Sequence, residues 1–302
     1  MYDIIIIGGG PAGLTAAVYA RRAGKSVLVL ERDAFGGQIT RSHRVENFPG
    51  FLSITGMELG DRLLEQAIEQ GAETELEEAT GVRDEGAVKT VTCASGAEYQ
   101  AKALILAVGA KPRALGLDRE EELTGSGVCY CAVCDGAFYK GRSVAVVGGG
   151  SGALQDALLL GEICEKVYLI HRRGSFRGEQ ALAEQVTRHP NIELVLEAEV
   201  RQLLGEEELR GIVVEQRGLR RELAVEGLFV SIGNRSDNAP FAPLLSLDDQ
   251  GYAAAGENCL TPAAGVFVAG DCRAKAVRQL TTAVADGSAA ALAAAHYLDG
   301  AK

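Results

Sequence analysis

Several features that define special classes of protein are scarce or missing in this sequence. Only 7 of the 302 residues are proline, and the 38 glycines cluster instead of repeating, which excludes collagen-like and low-complexity architectures. The 30 basic residues are outnumbered by 41 acidic ones, and the net charge of −11 argues against a general nucleic-acid or anionic-membrane surface. No apolar run approaches the roughly 18 residues of a membrane span, and the N-terminus lacks the basic start of a signal peptide. We therefore expect a soluble, intracellular protein.

Cysteine is also thinly spread. The seven cysteines are an odd number and too few for a disulfide framework in a chain of this length. A structural zinc site needs four ligands, usually in two pairs, and the isolated cysteines and four histidines do not form such pairs. We therefore expect no metal site, and we expect the isolated cysteines to be small, buried apolar side chains. These are Cys93, Cys164, Cys259 and Cys272.

The chain opens with a strand–turn–helix–strand pattern. A β-branched run over residues 2–7 precedes a glycine-rich turn and a helical stretch, and a second apolar strand then ends at Glu31. The turn has the form Gly8-x-Gly10-x-x-Gly13, whose glycines permit a tight turn and let a pyrophosphate approach the helix N-terminus. An acid at the end of the second strand is placed to bind a ribose diol. The pattern predicts a dinucleotide site for a ribose with a free 2′-hydroxyl.

The same pattern returns in the second half of the chain. Gly148-x-Gly150-x-x-Ala153 again joins an apolar strand to a helix. The position that corresponds to Glu31 is occupied by a histidine, and arginines follow it. Guanidinium groups bind phosphate bidentately, whereas a carboxylate would repel a 2′-phosphate, so this second site is predicted to prefer NADPH over NADH. The basic cluster consists of His171, Arg172, Arg173 and Arg177.

Two matched units indicate an α/β protein with two Rossmann-like dinucleotide-binding domains. Each domain is expected to have three layers, two of β-sheet and one of helices (ββα). Each unit is followed by short strands, interpreted as antiparallel, and by an apolar strand that leads into a glycine, Gly109 or Gly233. A last strand over 265–269 and an alanine-rich helix from about 281 to 298 are too short to form a domain alone. We expect this C-terminal segment to return to the first domain.

The second domain is then an insertion into the first. The predicted boundaries give residues 1–113 with 244–302 for an FAD-binding domain and 114–243 for an NADPH-binding domain that carries a redox motif. The chain crosses between the domains at 111–113 and again in the breaker-rich stretch 234–240. Two parallel connections make a natural hinge.

A third motif, Cys131-x-x-Cys134-Asp135, carries redox chemistry. The two cysteines can close a small disulfide ring, whose redox use depends on a stabilised thiolate and an accessible sulfur. Asp135 is a candidate proton donor and acceptor, and Cys129 is interpreted as an inert neighbour. Because a flavin can accept a hydride and pass electrons to sulfur, the predicted order is NADPH, FAD, the cysteine pair and then an outside disulfide.

Taken together, the motifs resemble those of the low-molecular-weight thioredoxin reductases over essentially the whole chain. Residues 36–38 and 45–50 are similar to segments that lie against the flavin in that family. Residues 171–177 resemble its NADPH signature, and 269–271 with 278–283 resemble its C-terminal FAD motif. The complete set of motifs, in this order, is highly specific.

The resemblance implies a cytoplasmic, homodimeric flavoprotein that uses FAD and NADPH to reduce thioredoxin or a thioredoxin-like protein. Cys134 would face the flavin, and Cys131 would exchange with the partner disulfide. Because the dithiol and the NADPH turn both lie in the inserted domain, we expect this domain to rotate between the two half-reactions. The implied FAD-binding residues are Gly8, Gly10, Pro11, Ala12, Gly13, Glu31, Gly37, Gln38, Asn47, Gly109, Gly270, Asp271, Arg278, Gln279 and Leu280. The implied NADPH-binding residues are Gly148, Gly150, Ser151, Gly152, Ala153, His171, Arg172, Arg173 and Arg177.

A few positions depart from the family pattern. Ser151-Gly152 stands where Asn or Asp and then Ser or Thr are usual, Gln155 replaces an acid, and Val108 replaces a threonine. These departures leave room for a flavoprotein on the same scaffold that takes electrons from ferredoxin or acts as a dithiol oxidase. A catalytically silent FAD-binding module is a further alternative, but a structural protein has no need of a redox pair beside a proton donor.

Overall fold

The computed structural model describes residues 1–42 and 44–300, and in it the chain forms two compact units. The first unit combines Met1–Lys111 with the chain from Arg235 onward, and the second is Pro112–Asn234. Within the described residues, no helix is both long enough and apolar enough to cross a membrane.

The first unit is built around a seven-stranded sheet. Its strands are β1 (Tyr2–Ile7), β2 (Val27–Glu31), β3 (Glu73–Leu76), β4 (Ala79–Asp84), β5 (Lys89–Cys93), β6 (Glu98–Leu106) and β17 (Val266–Val268). The order is β3-β2-β1-β6-β5-β4, and β17 pairs with the second half of β6. Strands β3, β2, β1, β6 and β17 are parallel, whereas β4 and β5 are antiparallel to their neighbours. The C-terminal strand therefore completes the sheet that β1 began.

The isoleucine run of β1 explains why this strand lies inside the sheet. Ile4 and Ile6 pack into one apolar cluster with the helices, and Ile5 and Ile7 pack into a second cluster on the opposite face. A strand that is covered on both faces needs no polar alternation. The helices of this unit are α1 (Pro11–Arg22), α2 (Gly56–Glu69) and α6 (Leu280–Gly300).

The second unit contains a parallel sheet of five strands in the order β11-β10-β9-β15-β8 and an antiparallel sheet of three, β12-β13-β14. The strands are β8 (Val128–Cys129), β9 (Ser143–Val147), β10 (Lys166–His171), β11 (Ile192–Leu196), β12 (Ala198–Leu204), β13 (Gly211–Gln216), β14 (Leu219–Leu223) and β15 (Gly227–Val230). The helices are α3 (Ala132–Asp135), α4 (Ser151–Ile163) and α5 (Gln180–Arg188). The first of the short strands that were interpreted as antiparallel in the second half is β11, and for it the interpretation was wrong. Helix α5 is a crossover that returns the chain parallel to β10.

The two crossings of the chain pair with each other as a two-stranded ribbon. Strand β7 (Ala110–Pro112) lies beside β16 (Asn234–Ser236), and the Arg113 amide donates a hydrogen bond of 2.9 Å to the Gly233 carbonyl. The two connections therefore run side by side as paired strands.

The second crossing ends earlier than the sequence indicated. The predicted boundary was at 243, but the second unit ends at Asn234. Residues beyond that point pack in the first unit, since Asn238 is fully buried and donates to the carbonyl oxygens of Gly251 at 3.0 Å and Cys272 at 2.8 Å. The turn-forming residues of 234–240 indicated a linker. The buried side-chain amide of Asn238 instead makes this segment part of the core of the first unit.

Candidate functional site

The first glycine turn joins β1 to α1, and its three glycines serve different purposes. A Cβ atom on Gly8, whose φ is 110°, would lie 2.3 Å from the carbonyl oxygen of Ala107, and one on Gly13 would lie 1.8 Å from that of Gly8. A Cβ atom on Gly10 would meet no atom closer than 3.8 Å. The packing of the protein itself therefore requires Gly8 and Gly13. Gly10 leaves a space beside the helix N-terminus, which fits a pyrophosphate.

The groups around this turn complete a nucleotide site. Gly10 is the N-cap of α1, no side chain caps the helix, and its first turn carries no acid. The Glu31 carboxylate accepts hydrogen bonds from the amides of Gly9 at 2.7 Å and Asp33 at 2.9 Å. These bonds hold the carboxylate beside the turn and leave it further acceptor capacity. An acceptor that is fixed in this way fits the hydroxyls of a ribose.

The segment after β2 folds against the same turn. A Cβ atom on Gly37 would lie 3.0 Å from the Cα atom of Gly10, so the two backbones are in close approach. The Gln38 side-chain amide donates to the carbonyl oxygen of Ala110. Gly37, a predicted FAD-binding residue, thus lies beside the turn. Gln38, which is also predicted to bind FAD, is the next residue in the chain.

Further predicted residues meet at the start of α6. The Asn47 amide donates to the Gln279 side-chain oxygen at 3.4 Å, and the Gln279 amide donates to the Thr282 hydroxyl at 3.1 Å. The Arg278 guanidinium lies over the ring of Tyr252, 4.0 Å from its centroid. The structure therefore brings Asn47 to the segment of Arg278, Gln279 and Leu280, which lies more than 200 residues later in the chain.

Asp271 offers a buried carboxylate oxygen just beyond the end of β17. It follows Gly270, where a Cβ atom would lie 2.8 Å from the Cβ atom of Ala12 in α1. The Oδ1 atom of Asp271 is buried and accepts no hydrogen bond in the part of the chain that the structure describes, although Lys275 Nζ lies 3.4 Å away as an ion pair. Burial raises the pKa of Asp271. A buried oxygen with unused acceptor capacity fits a hydroxyl or phosphate-linked group of FAD.

A buried ion network supports this segment, and sequence reasoning missed it. Asp286 in α6 binds Arg273 at 2.8 Å and Lys275 at 3.1 Å, and it accepts the amide of Gly270 at 3.1 Å. Burial alone would raise the pKa of Asp286, but the hydrogen bonds and charges of Arg273 and Lys275 lower it. In the sequence, the feature that could have indicated this network is Asp286 itself, a single acid in the middle of an alanine-rich helix.

The predicted FAD-binding residues therefore gather mainly where the parallel strands of one sheet end. Gly8, Glu31, Gly109 and Gly270 follow or close β1, β2, β6 and β17, respectively. Ligands of open α/β sheets bind at the carboxyl ends of the strands. Pro11, Ala12 and Gly13 form the first turn of α1 at the same edge.

The second glycine turn, between β9 and α4, repeats the geometry of the first. A Cβ atom on Gly148 would lie 2.3 Å from the carbonyl oxygen of Ser231, whereas one on Gly150 would have no atom within 4 Å. Gly150 is the N-cap of α4, and the first turn of the helix carries no acid. Ser151 and Gly152 open α4, and Ala153 is buried directly behind them. The open position at Gly150 again fits a pyrophosphate.

His171 was expected to add positive charge to this turn, but the structure shows a buried ring. Its ring lies beneath Gly149, where a Cβ atom would come within 2.2 Å of Cε1, and it stacks on Phe176 at 5.6 Å. The residue is 6% exposed, and Nε2 has no hydrogen-bond partner among the described residues. Burial, with the neighbouring arginines, lowers the pKa of His171, so the ring is neutral at neutral pH. It provides a platform for the turn.

The three arginines carry the positive charge. Arg172, Arg173 and Arg177 are exposed and form no ion pair with any residue that the structure describes. The Arg177 amide donates to the Gly149 carbonyl at 2.8 Å, which holds the loop against the turn. Unpaired guanidinium groups beside a nucleotide turn are suited to bind a phosphate.

The redox motif forms a closed disulfide in the second unit. Cys131 and Cys134 are joined, with 5.2 Å between their Cα atoms. Cys131 is the N-cap of α3, and its Sγ accepts the Cys134 amide at 3.2 Å. Val133, between the two cysteines, is 61% exposed. Because a backbone N–H stabilises a thiolate, Cys131 is suited to attack a disulfide in an approaching partner.

The other cysteines are buried, as the sequence indicated. Burial raises the pKa of each of these thiols, so they remain protonated and unreactive at neutral pH. They are Cys93, Cys129, Cys164, Cys259 and Cys272. The Cys131–Cys134 pair therefore carries the sulfur chemistry of the described chain.

Comparison with known proteins identifies the family. The family model of the pyridine nucleotide-disulphide oxidoreductases matches residues 2–287. The chain belongs to this family. The predicted α/β fold with two Rossmann-like domains and the resemblance to thioredoxin reductases are both confirmed.

Individual known proteins match nearly the whole chain. A thioredoxin reductase of Listeria monocytogenes is 40% identical over 99% of the chain and 94% of its own length. A 34.2 kDa protein in the rubredoxin operon of Clostridium pasteurianum is also 40% identical, over 99% of the chain and 97% of its own length. The crystal structure of thioredoxin reductase from Streptococcus pyogenes has a TM-score of 0.95 at 35% identity and covers 99% of both chains.

Proposed function

We propose that this pyridine nucleotide-disulphide oxidoreductase is an NADPH-dependent thioredoxin reductase. It uses FAD and NADPH, and electrons pass from NADPH through FAD to the Cys131–Cys134 disulfide and on to the disulfide of thioredoxin or a thioredoxin-like protein. The observation that carries the proposal is the closed Cys-x-x-Cys pair in the same unit as a nucleotide turn with unpaired arginines. FAD supplies the step that a nicotinamide lacks, since it accepts a hydride and delivers electrons to sulfur.

The two units divide the work. The first unit, with its carboxylate at Glu31, holds FAD, because a carboxylate accepts hydrogen bonds from ribose hydroxyls and repels a 2′-phosphate. The second unit holds NADPH at the turn beside the arginines. Its dithiol carries electrons onward. Cys131 attacks the partner disulfide, Cys134 resolves the mixed disulfide, and Asp135 exchanges protons with the sulfurs.

Both the NADPH turn and the redox pair belong to the second unit, so they must take turns at a flavin that the first unit holds. We propose a rotation about the ribbon of β7 and β16. Ion pairs hold the first-unit side of each crossing, with Lys111 at 3.6 Å from Asp33 and Asp237 at 2.5 Å from Arg32. The pivots then lie immediately beyond these pairs, at 112–113 and 233–234.

The rotation predicts a change in distance between labels on the two units. Leu52 in the first unit is 98% exposed and Leu219 in the second is 77% exposed, so each accepts a cysteine and a thioether-linked spin label. With the redox disulfide closed and the other cysteines buried, these two thiols are the ones that react. Pulsed electron paramagnetic resonance should show a distance distribution that shifts when NADPH is added anaerobically. The same distance distribution before and after the addition of NADPH would contradict the rotation.

The arginine cluster predicts the choice of coenzyme. Replacing Arg172, Arg173 and Arg177 by alanine should raise KM for NADPH about 100-fold, because each charge-assisted phosphate contact that is lost costs more than 1 kcal/mol. KM for NADH should change less than about 2-fold, because NADH lacks the phosphate. The measurement is a coupled assay of thioredoxin reduction with each coenzyme.

Arg220→Ala is the matched control for this prediction. Arg220 lies in the same unit and is exposed, but it pairs with Glu215 at 3.3 Å on the antiparallel sheet, so this variant should keep the preference for NADPH. Equal loss with both coenzymes in the triple variant would contradict a phosphate-binding role. If neither coenzyme reduces the flavin of the parent protein, the ferredoxin-dependent alternative replaces the proposal.

We also propose that the enzyme works in the cytoplasm as a homodimer. The resemblance to the thioredoxin reductases over the whole chain supports this assembly. Light scattering of the FAD-loaded protein should give twice the mass of one chain, and a mass of one chain at micromolar concentration would contradict the dimer.

A further inference from the structure

Two buried groups lie behind the redox motif and have no part in the function proposed above. Cys129 in β8 is 4% exposed and Tyr139 is 8% exposed. The Cys129 sulfur lies 3.4 Å from the Tyr139 hydroxyl. The Cys129 thiol also makes a side-chain hydrogen bond with Asp135. The three side chains form a chain that ends on the carboxylate next to Cys134.

The chemistry of the three groups fixes the direction of these hydrogen bonds. The hydrogen bond with Asp135 raises the pKa of Cys129, as it does when the Cys129 S–H donates to the carboxylate. The thiol hydrogen is then used, and the sulfur can only accept, so the Tyr139 O–H donates to Cys129. Each donor in the chain thus supports the next, and the last acceptor is the predicted acid–base group.

Both donors stay protonated. Burial, with the charge of Asp135, raises the pKa of Cys129 to about 12, and burial raises the pKa of Tyr139. Arg142 acts on Tyr139 in the opposite direction, but the net shift remains upward. Because a thiol at neutral pH is neither a nucleophile nor a proton acceptor, Cys129 is neither a third redox partner nor a proton relay. Its remaining capacity is to donate one fixed hydrogen bond.

The ring of Tyr139 is held rigidly, so the chain is held as well. The ring meets Phe229 edge-on, with 5.3 Å between centroids, and a Cβ atom on Gly227 would lie 2.7 Å from it. The Cys164 thiol donates to the Tyr139 carbonyl at 3.3 Å. Glycine at 227 is therefore required to admit the ring that places the hydroxyl.

We propose that Cys129 and Tyr139 are positioning residues: their hydrogen bonds fix the Asp135 carboxylate at the redox pair. This inference rests on the proposed function. Thiol–disulfide exchange oxidises the dithiol to a disulfide and reduces the partner disulfide to a dithiol, with two electrons and two protons transferred. Each attacking thiol gives up a proton, and each departing sulfur takes one. A carboxylate that accepts the first proton and returns it to the departing sulfur ends each exchange unchanged.

The test compares Cys129→Ala, which removes the donor, with Cys129→Ser, which keeps a donor at the same position. In the coupled assay, Cys129→Ala should lower kcat for thioredoxin reduction about 10-fold, with KM within about 2-fold. This loss is smaller than the roughly 100-fold or more that a general acid–base group contributes, because the variant misplaces Asp135 and does not remove it. Cys129→Ser should restore kcat to within about 3-fold of the parent value, and Tyr139→Phe should lie between the two. A purely structural role for the buried cysteine predicts no such rescue by serine.

A second measurement needs neither coenzyme nor thioredoxin. In the oxidised protein the infrared S–H stretching band that disappears in Cys129→Ala belongs to Cys129. This band should move to higher frequency in Asp135→Asn, because an amide oxygen is a weaker acceptor than a carboxylate. The band that disappears in Cys93→Ala should not respond to Asp135→Asn, since Cys93 lies in the other unit.

The outcomes separate this inference from the function on which it rests. A parent enzyme that fails to reduce thioredoxin overturns the proposed function and the catalytic part of the inference together. A working parent with an equally fast Cys129→Ala variant overturns the inference alone. If the S–H band of Cys129 has the same frequency in Asp135→Asn as in the parent protein, Cys129 does not donate a hydrogen bond to Asp135.

Discussion

Gly10→Ala is expected to give a folded protein that does not hold FAD and is therefore colourless. The new methyl group would meet no protein atom closer than 3.8 Å. It would, however, occupy the space that we assign to the pyrophosphate, and an overpacking cost of about 3 kcal/mol corresponds to a loss of affinity of about 100-fold. The free energy of unfolding of the FAD-free protein should fall by no more than about 1 kcal/mol, the difference between glycine and alanine at an N-cap.

Absorbance of the bound flavin and thermal unfolding of the FAD-free protein measure both parts of this prediction. Gly150→Ala is the matched control, because Gly150 is also an N-cap with no neighbouring atom. That variant should retain FAD and lose NADPH binding instead. A yellow Gly10→Ala protein with parental affinity for FAD would show that the first turn does not hold the pyrophosphate.

Replacing either redox cysteine by serine should abolish thioredoxin reduction, with a loss of about 1,000-fold or more, because a serine hydroxyl cannot form the mixed disulfide. Reduction of the flavin by NADPH should survive in both variants, since that half-reaction does not involve sulfur. Cys134→Ser should in addition trap a stable mixed disulfide between Cys131 and thioredoxin. Cys131→Ser should trap none, because the remaining Cys134 does not exchange with the partner.

Stopped-flow absorbance, turnover and non-reducing gels distinguish these cases. Cys93→Ala removes a buried cysteine on β5 of the other unit and should leave turnover unchanged. If Cys131→Ser, and not Cys134→Ser, forms the trapped complex, the assigned roles of the two sulfurs are reversed. Turnover that survives in both variants would remove the dithiol from the reaction.

Local sequence patterns predicted the nucleotide turns because each depends on residues that are close in the chain. Gly8 must adopt a positive φ and Gly13 must admit a neighbouring backbone, so glycine at these positions reports a geometry directly. The same holds for the cysteine pair, whose spacing of three places both sulfurs on one turn of helix. The return of the C-terminal segment to the first unit was also predicted, because a lone apolar strand and helix cannot bury their surfaces alone, although the pairing of β17 with β6 was not.

Other features depend on contacts between distant segments, and no local pattern encodes them. The charge of His171 was misjudged because its burial under Gly149 and against Phe176 decides its protonation. The end of the second crossing was misplaced because Asn238 bonds to backbone from later in the chain.

The sequence by itself determined the two nucleotide turns, the redox pair, the family and the fold class, since these rest on backbone requirements at specific spacings. The tertiary structure alone decided which buried polar groups meet. The ion network of Asp286 and the hydrogen-bonded chain from Tyr139 through Cys129 to Asp135 are of this kind. The physical reason is that hydrogen bonding and pKa depend on burial and on neighbours in space, which exist only after the chain has folded.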